Sequence, residues 1–237
     1  MPKKPLKTLK SLKNTLIIPL ILLLFLLPSL FLNFFFFDKL KDNWQEIEVL
    51  GVIDGDTIVL DGKTRLRLRC VDAPELEYCG GIEAKALMEK LVDGKKVVIK
   101  EQIIDARGRP MALVYVDGKL VNEEIIKSGW GRYHSDKTSV REILKSAYKH
   151  AREKKLGIFS SQCSQMQNPD NPDCNIKGNI DKNSTRRNYY FPGCAQYDYT
   201  IVELDLGEGW FCTEKEAKAA GFTRSKTCPW PIFMFPN

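Results

Sequence analysis

No Asp, Glu, Lys or Arg occurs between residues 15 and 37. That absence excludes a solvent-facing helix, since every face of TLIIPLILLLFLLPSLFLNFFFF is apolar and its 23 residues, at about 1.5 Å each, cover roughly 30 Å of hydrocarbon. No small-residue cleavage site follows Phe37, and the run exceeds the core of a signal peptide. A retained, single-pass signal anchor is therefore expected over 15–37, with secretion after cleavage as the alternative. Pro19 and Pro28 are compatible with it, because lipid-buried helices tolerate proline. Acids are also missing among Lys3, Lys4, Lys7, Lys10 and Lys13, whereas Asp38 and Asp42 cancel Lys39 and Lys41. The positive-inside rule then leaves the tail 1–14 in the cytoplasm and the rest of the chain outside the cell membrane. Those five lysines account for all but one of the formal net charge of +6. Net charge thus excludes nothing and supports nothing about a nucleic-acid partner, and any phosphate recognition must be local. Histidine is scarce as well: His134 falls in a loop and His150 in a polar helix, and neither is an obvious catalyst.

Beyond the anchor the pattern is α+β. Residues 44–160 alternate as strands around two hairpin signals, Asp61-Gly62 and Asp117-Gly118. Between and after them lie three helical runs: IEAKALMEKLV with Ile82, Ala86, Leu87 and Leu91 on one side, a short helix from Asn122 to Gly129, and a long helix from 138 to 156 with Ile143, Ala147 and Ala151 inward. Strands paired by tight turns, with about three helices, indicate a five-stranded closed barrel of the OB-fold type. Residues 161–173, ending in two Asn-Pro-Asp repeats, read as a linker, and 174–230 as a small cysteine-containing α+β domain. Thr213 and Glu216 form a capping box there.

The chemistry concentrates in VIDGDTIVLDGKTRLRLRCVDAPE, residues 52–75. Pairing across the hairpin brings Asp56 and Asp72 together, two hard carboxylates of the kind a divalent cation requires, with Arg67 between them. Asp54 and Asp61 read as turn residues, Asp105 as a loop residue, and Arg65 and Arg69 as solvated charges flanking Arg67 on an alternating strand.

IDGDT at 53–57, RLRCVDAPE at 67–75, DARGR at 105–109, DGKLVNEEIIKSGW at 117–130 and KKLGIF at 154–159 resemble, in this order, the staphylococcal nuclease-like or thermonuclease domain over about half the chain. The resemblance implies an OB-fold, Ca²⁺-dependent phosphodiesterase acting on DNA or RNA, with no small-molecule cofactor. By it, Asp56, Asp72 and the backbone carbonyl of Ala73 are Ca²⁺ ligands, Glu75 assists the attacking water, and Arg67 and Arg109 clamp the phosphate. The family often carries threonine where Ala73 stands and tyrosine where Arg107 stands. A non-catalytic nucleic-acid-binding or cell-envelope module is the rival, since OB-folds commonly bind without cutting.

All seven cysteines follow the anchor, and their odd number leaves at least one unpaired in the absence of metal. Cys70 and Cys79 bracket the VDAPELEY loop, and a bridge between them would pin it. Cys174, Cys194, Cys212 and Cys228 contain no Cys-x-x-Cys knuckle, so two disulfides or a four-thiolate Zn²⁺ site remain as alternatives. CNIKGNI, NYYFPGC and GEGWFCTEKEAKAAGF resemble a small module sometimes called the sunset domain, likened to the metal-binding domain of the Ada repair protein. The aromatic cluster of Tyr189, Tyr190, Phe191, Trp210 and Phe211 is expected to be the core of that module.

Overall fold

The computed structural model describes residues 45–182 and 184–229. The tail expected over 1–14 and the anchor expected over 15–37 lie outside the described residues. Among the described ones no helix is long and apolar enough to cross a membrane.

Five strands close a barrel. β1 (Glu46–Val52) pairs with β2 (Thr57–Leu60), which pairs with β3 (Thr64–Leu68), and on its other edge β1 pairs with β5 (Lys96–Ile104), the neighbour of β6 (Pro110–Val116). Arg67 opposite Met111 and Leu68 opposite Ala112, in a parallel pairing of β3 with β6, complete the circuit. The alternation read in the sequence puts Ile58, Leu66, Leu68, Val97 and Val114 inward, each at most 1% exposed. Complete burial of such side chains stabilises by about 1.5–3 kcal/mol each. Turn chemistry differs between the two hairpins. Asp117 and Gly118, with φ of 50° and 77°, make the expected two-residue turn into β7 (Lys119–Leu120). The loop at Asp61-Gly62 takes three residues, because Leu60 faces Thr64 and Lys63 also adopts a positive φ of 60°.

Three helices pack on the barrel, and in two of them an isoleucine expected inward is exposed. α1 (Gly81–Val92) buries Ala84, Met88 and Val92 and leaves Ile82 70% exposed. The helix is apolar on more than one side, and contact with the barrel selects between the stripes. α2 (Val121–Lys127) buries Val121, Ile125 and Ile126. α3 (Arg141–Glu153) turns Leu144, Ala147 and Ala151 inward, whereas Ile143 is 48% exposed.

The segment read as a linker carries structure. Ser164–Gln165 form β9, which pairs with β12 (Val202–Glu203). In a separate sheet β10 (Ile176–Ile180) is flanked by β11 (Arg187–Tyr190) and β13 (Gly209–Phe211), with β14 (Thr223–Arg224) beside β11. Short strands β4 (Val71–Asp72) and β8 (Arg132–Tyr133) make a separate ribbon against the barrel. Ile176, Tyr189, Ala217 and Phe222 form the second core, against which Phe191 and Phe211 pack. α4 (Glu214–Ala219) starts at Thr213, whose side-chain oxygen accepts from Glu216 N at 3.2 Å, while Glu216 accepts from Cys212 N at 2.9 Å.

The cysteine pairing corrects one expectation and decides another. Cys70 and Cys79 are not bridged. Cys79 pairs with Cys163, and Cys70 is the unpaired one, turned into the barrel core at 5% exposure. Its φ of 65° marks the end of the β3 alternation, and burial pushes its thiol up to about 11, where it is inert. Cys174–Cys212 and Cys194–Cys228 are disulfides. Four oxidised sulfurs leave no thiolates for Zn²⁺, so the zinc alternative falls.

Candidate active site

The turn from β1 to β2 aims an acid into the protein. Asp54 Oδ1 accepts from Asp56 N at 3.0 Å, and Ile53 N donates to Thr57 O at 2.9 Å, which makes Asp54 the turn residue expected. Gly55 sits between two elements: a Cβ there would come within 2.5 Å of Ala84 on α1 and 2.7 Å of Ala73. Only glycine permits that approach, and it presses the turn against the loop that follows β4.

Asp56 is consequently 2% exposed. Its Oδ2 accepts from Ala73 N at 2.9 Å and its Oδ1 from Thr57 Oγ1 at 2.9 Å. Arg67 Nη2 stands 2.8 Å from the same Oδ2 and also donates to Asp72 Oδ1. Asp56 and Asp72 therefore converge, as the sequence indicated, on one guanidinium nitrogen. Burial raises the Asp56 carboxyl to about 7, against the lowering effect of Arg67 and the Ala73 N–H. A desolvated carboxylate beside a solvent-facing one, whose side chain is 62% exposed, is a strong demand for positive charge at this point.

Arg109 reaches the same cleft from the other side. It is held by Asp105: Nε and Nη2 each lie 2.8 Å from Asp105 Oδ2, and Oδ1 accepts from the backbone N–H groups of Arg107 and Arg109 at 2.9 and 2.8 Å. Those bonds, the Arg109 N–H foremost, hold the Asp105 carboxyl below its ordinary value. The reading of Asp105 as a mere loop residue misses that its side chain orients an arginine. Glu75, Arg67 and Arg109 line a cleft of about 480 Å³ together with Thr57 and Asp54. An adjoining hollow of about 570 Å³ includes Asp72, Arg107 and His134.

Arg69 is the other correction. It is 6% exposed, with Nε 2.6 Å from Asp136 Oδ2, and it donates to the carbonyls of Glu101 and Lys137 at 3.0 and 2.6 Å. Arg65 does face solvent. Alternation assigned both arginines to one face, but β3 ends at Leu68.

Oxygen donors from two converging carboxylates, one of them buried and calling for a cation, fit a hard divalent ion. Among the described residues no three His, Cys, Asp or Glu side chains form a metal-binding group. Chemically, Asp72, Glu75 and two guanidinium forks around one hollow, backed by the buried Asp56, suit a phosphodiester.

Comparison with known proteins agrees. A family model described as staphylococcal nuclease homologue matches residues 65–161. An uncharacterized endonuclease of Escherichia coli O157:H7 is 34% identical over 120 residues, 47% of this chain and 75% of that protein. Two probable staphylococcal-like nucleases of Oryza sativa subsp. japonica, CAN1 and CAN2, are 34% identical over 111 residues and 31% over 135. They align with 47% and 57% of this chain but only 33% and 35% of their own lengths. With three quarters of the bacterial relative covered at that identity, the chain belongs to the staphylococcal nuclease family.

Proposed function

We propose that this protein is a membrane-anchored, extracytoplasmic nuclease that hydrolyses phosphodiester bonds of DNA or RNA with Ca²⁺. The observation that carries the reading is the sharing of Arg67 Nη2 by Asp56 and Asp72, with Arg67, Asp72, Glu75 and Arg109 lining one hollow. In hydrolysis, water attacks phosphorus, charge builds on the nonbridging oxygens, and the P–O bond to the leaving oxygen breaks. Arg67 and Arg109 stabilise that charge with fork-like hydrogen bonds. Glu75 orients the water or takes its proton, which leaves with the ester oxygen as a hydroxyl. Asp56, Asp72 and the Ala73 carbonyl would hold Ca²⁺, which supplies further positive charge for the phosphate. Three disulfides support an oxidising compartment, in keeping with an anchor over 15–37 and a cytoplasmic N-terminus.

The test is hydrolysis of single-stranded DNA and of RNA by the full-length chain, in detergent, with Ca²⁺, with Mg²⁺ and with chelator, for the parent and Glu75→Gln. Cutting that needs Ca²⁺ and collapses in the variant is expected. A parent inert with every metal, or a variant that cuts as fast, rejects the assignment in favour of a binding module.

A further inference from the structure

The C-terminal region meets the barrel at the acid-bearing loop, and it does so three times. Cys79, four residues past Glu75, is bridged to Cys163 at the start of that region. Tyr78 lies against Gly207, where a Cβ would come within 2.7 Å of the phenol ring. Arg132, the cross-strand partner of Asp72 in the β4–β8 ribbon, makes the third attachment. Its Nε donates to Asp205 Oδ2 at 2.8 Å, and its Nη2 donates to Asp205 Oδ1 and Glu203 Oε1, both at 3.0 Å.

The corner that receives these contacts is itself fixed. Leu204 N donates to Cys163 O at 2.8 Å, Glu203 N to Glu208 Oε2 at 2.7 Å, and Trp210 Nε1 to Gln165 Oε1 at 2.7 Å. Asp205 is 3% exposed. Burying an ion pair of this kind is a poor source of stability, because desolvation offsets most of the attraction and apolar replacements are often as stable. What a bidentate guanidinium–carboxylate pair does fix is direction. Here the direction is that of the strand paired with Asp72.

We propose that the C-terminal region is a positioning brace for the acid loop, with Asp205 and Glu203 holding Arg132, and Gly207 seating Tyr78, so that Asp72 and Glu75 keep their places in the cleft. Arg132 is then a positioning residue and not a catalytic one. Its release has a second effect: directly opposed residues on an antiparallel ribbon have Cβ atoms about 4.5–5.5 Å apart, so a guanidinium freed from Asp205 comes within reach of the Asp72 carboxylate and competes for it. The catalytic consequence rests on the nuclease reading, whereas the mechanical one does not.

Full-length Asp205→Asn, which keeps the side chain's shape, is compared with Glu203→Gln and with Tyr189→Phe. The last removes the Tyr189–Glu214 hydrogen bond in the same region, away from the corner. Amide hydrogen exchange of the metal-free proteins is followed over residues 71–79. Exchange about tenfold faster there in Asp205→Asn, with a smaller rise in Glu203→Gln and parent rates in Tyr189→Phe, is expected. Unchanged protection of that loop in Asp205→Asn overturns the brace. The second reading is the Ca²⁺ concentration that half-saturates DNA hydrolysis, expected to rise about tenfold in Asp205→Asn with KM for DNA unmoved, the usual cost of losing a partner one step behind a metal ligand. Faster exchange with an unaltered Ca²⁺ requirement and kcat overturns the positioning role. If the parent does not hydrolyse nucleic acid at all, the nuclease reading falls, and the exchange rates still decide the brace.

Discussion

Arg67 Nη2 contacts a carboxylate that is 2% exposed and another whose side chain is 62% exposed, so one side chain joins a buried acid to a solvent-facing one. Arg109, at 44% side-chain exposure, is tied to Asp105 within its own loop. Arg109 stands outside the barrel core, Arg67 is also the counter-charge of the buried Asp56, and losing an electrostatic donor of this type costs about 10²- to 10³-fold in rate. Arg67→Ala and Arg109→Ala are each expected to lose at least about 100-fold in single-turnover DNA hydrolysis while the far-ultraviolet circular dichroism stays that of the parent. Activity within about tenfold of the parent would remove that arginine from the phosphate clamp. The convergence of Asp56 and Asp72 beside Arg67 is legible in the sequence because tight turns set the strands that carry them, whereas Arg109 is singled out only by the family resemblance. Arg69 is not legible: its role follows from the positive φ of Cys70, a backbone reversal that no alternation pattern announces.

Elements were legible in kind and less so in orientation. The strands and hairpins follow from period-two patterning and Asp-Gly turns, and Leu87 and Leu91 on α1 and Ala147 and Ala151 on α3 lie inward as expected, but Ile82 and Ile143 do not. Ile82 and Ile143 qualify as core by hydrophobicity alone, and only the barrel surface decides that Met88 and Leu144 fill it. Asn122 is the element-scale feature that composition hides. Fully buried on α2, its Oδ1 accepts from Val114 N at 2.9 Å, and its Nδ2 donates to Arg69 O at 2.8 Å and Ala112 O at 3.2 Å. It thus joins the helix to β6 and to the exit of β3, at the strands whose pairing closes the barrel. Truncation takes their Asn122 partner from the Val114 N–H and the Arg69 carbonyl, whereas Ala112 O still accepts from Arg69 N at 2.8 Å, at about 1–3 kcal/mol for a lost partner. Asn122→Ala is expected to lower the unfolding free energy in urea by about 3 kcal/mol with an unchanged m-value, and a loss below about 1 kcal/mol would show that the barrel closes without it.

For the molecule as a whole, the barrel and the C-terminal region depend on different forces. The barrel cluster draws on five strands and three helices, whereas the hydrophobic cluster of the C-terminal region has four buried members, Ile176, Tyr189, Ala217 and Phe222. So small a core cannot offset the chain entropy of more than fifty residues. The bridges supply the difference: closing loops with sequence separations of 84, 38 and 34 corresponds to about 4 kcal/mol each in the chain-entropy picture. The number of cysteines indicated such dependence, but the pairing could not be read from spacing, because Cys79 finds its partner across the fold and Cys70, nine residues earlier, is withdrawn into the core. Reduction should therefore divide the protein. In excess dithiothreitol, limited proteolysis is expected to remove 174–229 at least about tenfold faster than under oxidising conditions, while a barrel fragment from 45 to about 161 resists. Equal resistance of both parts after reduction, verified by thiol labelling, would mean that the four-residue core and its hydrogen bonds suffice without the bridges.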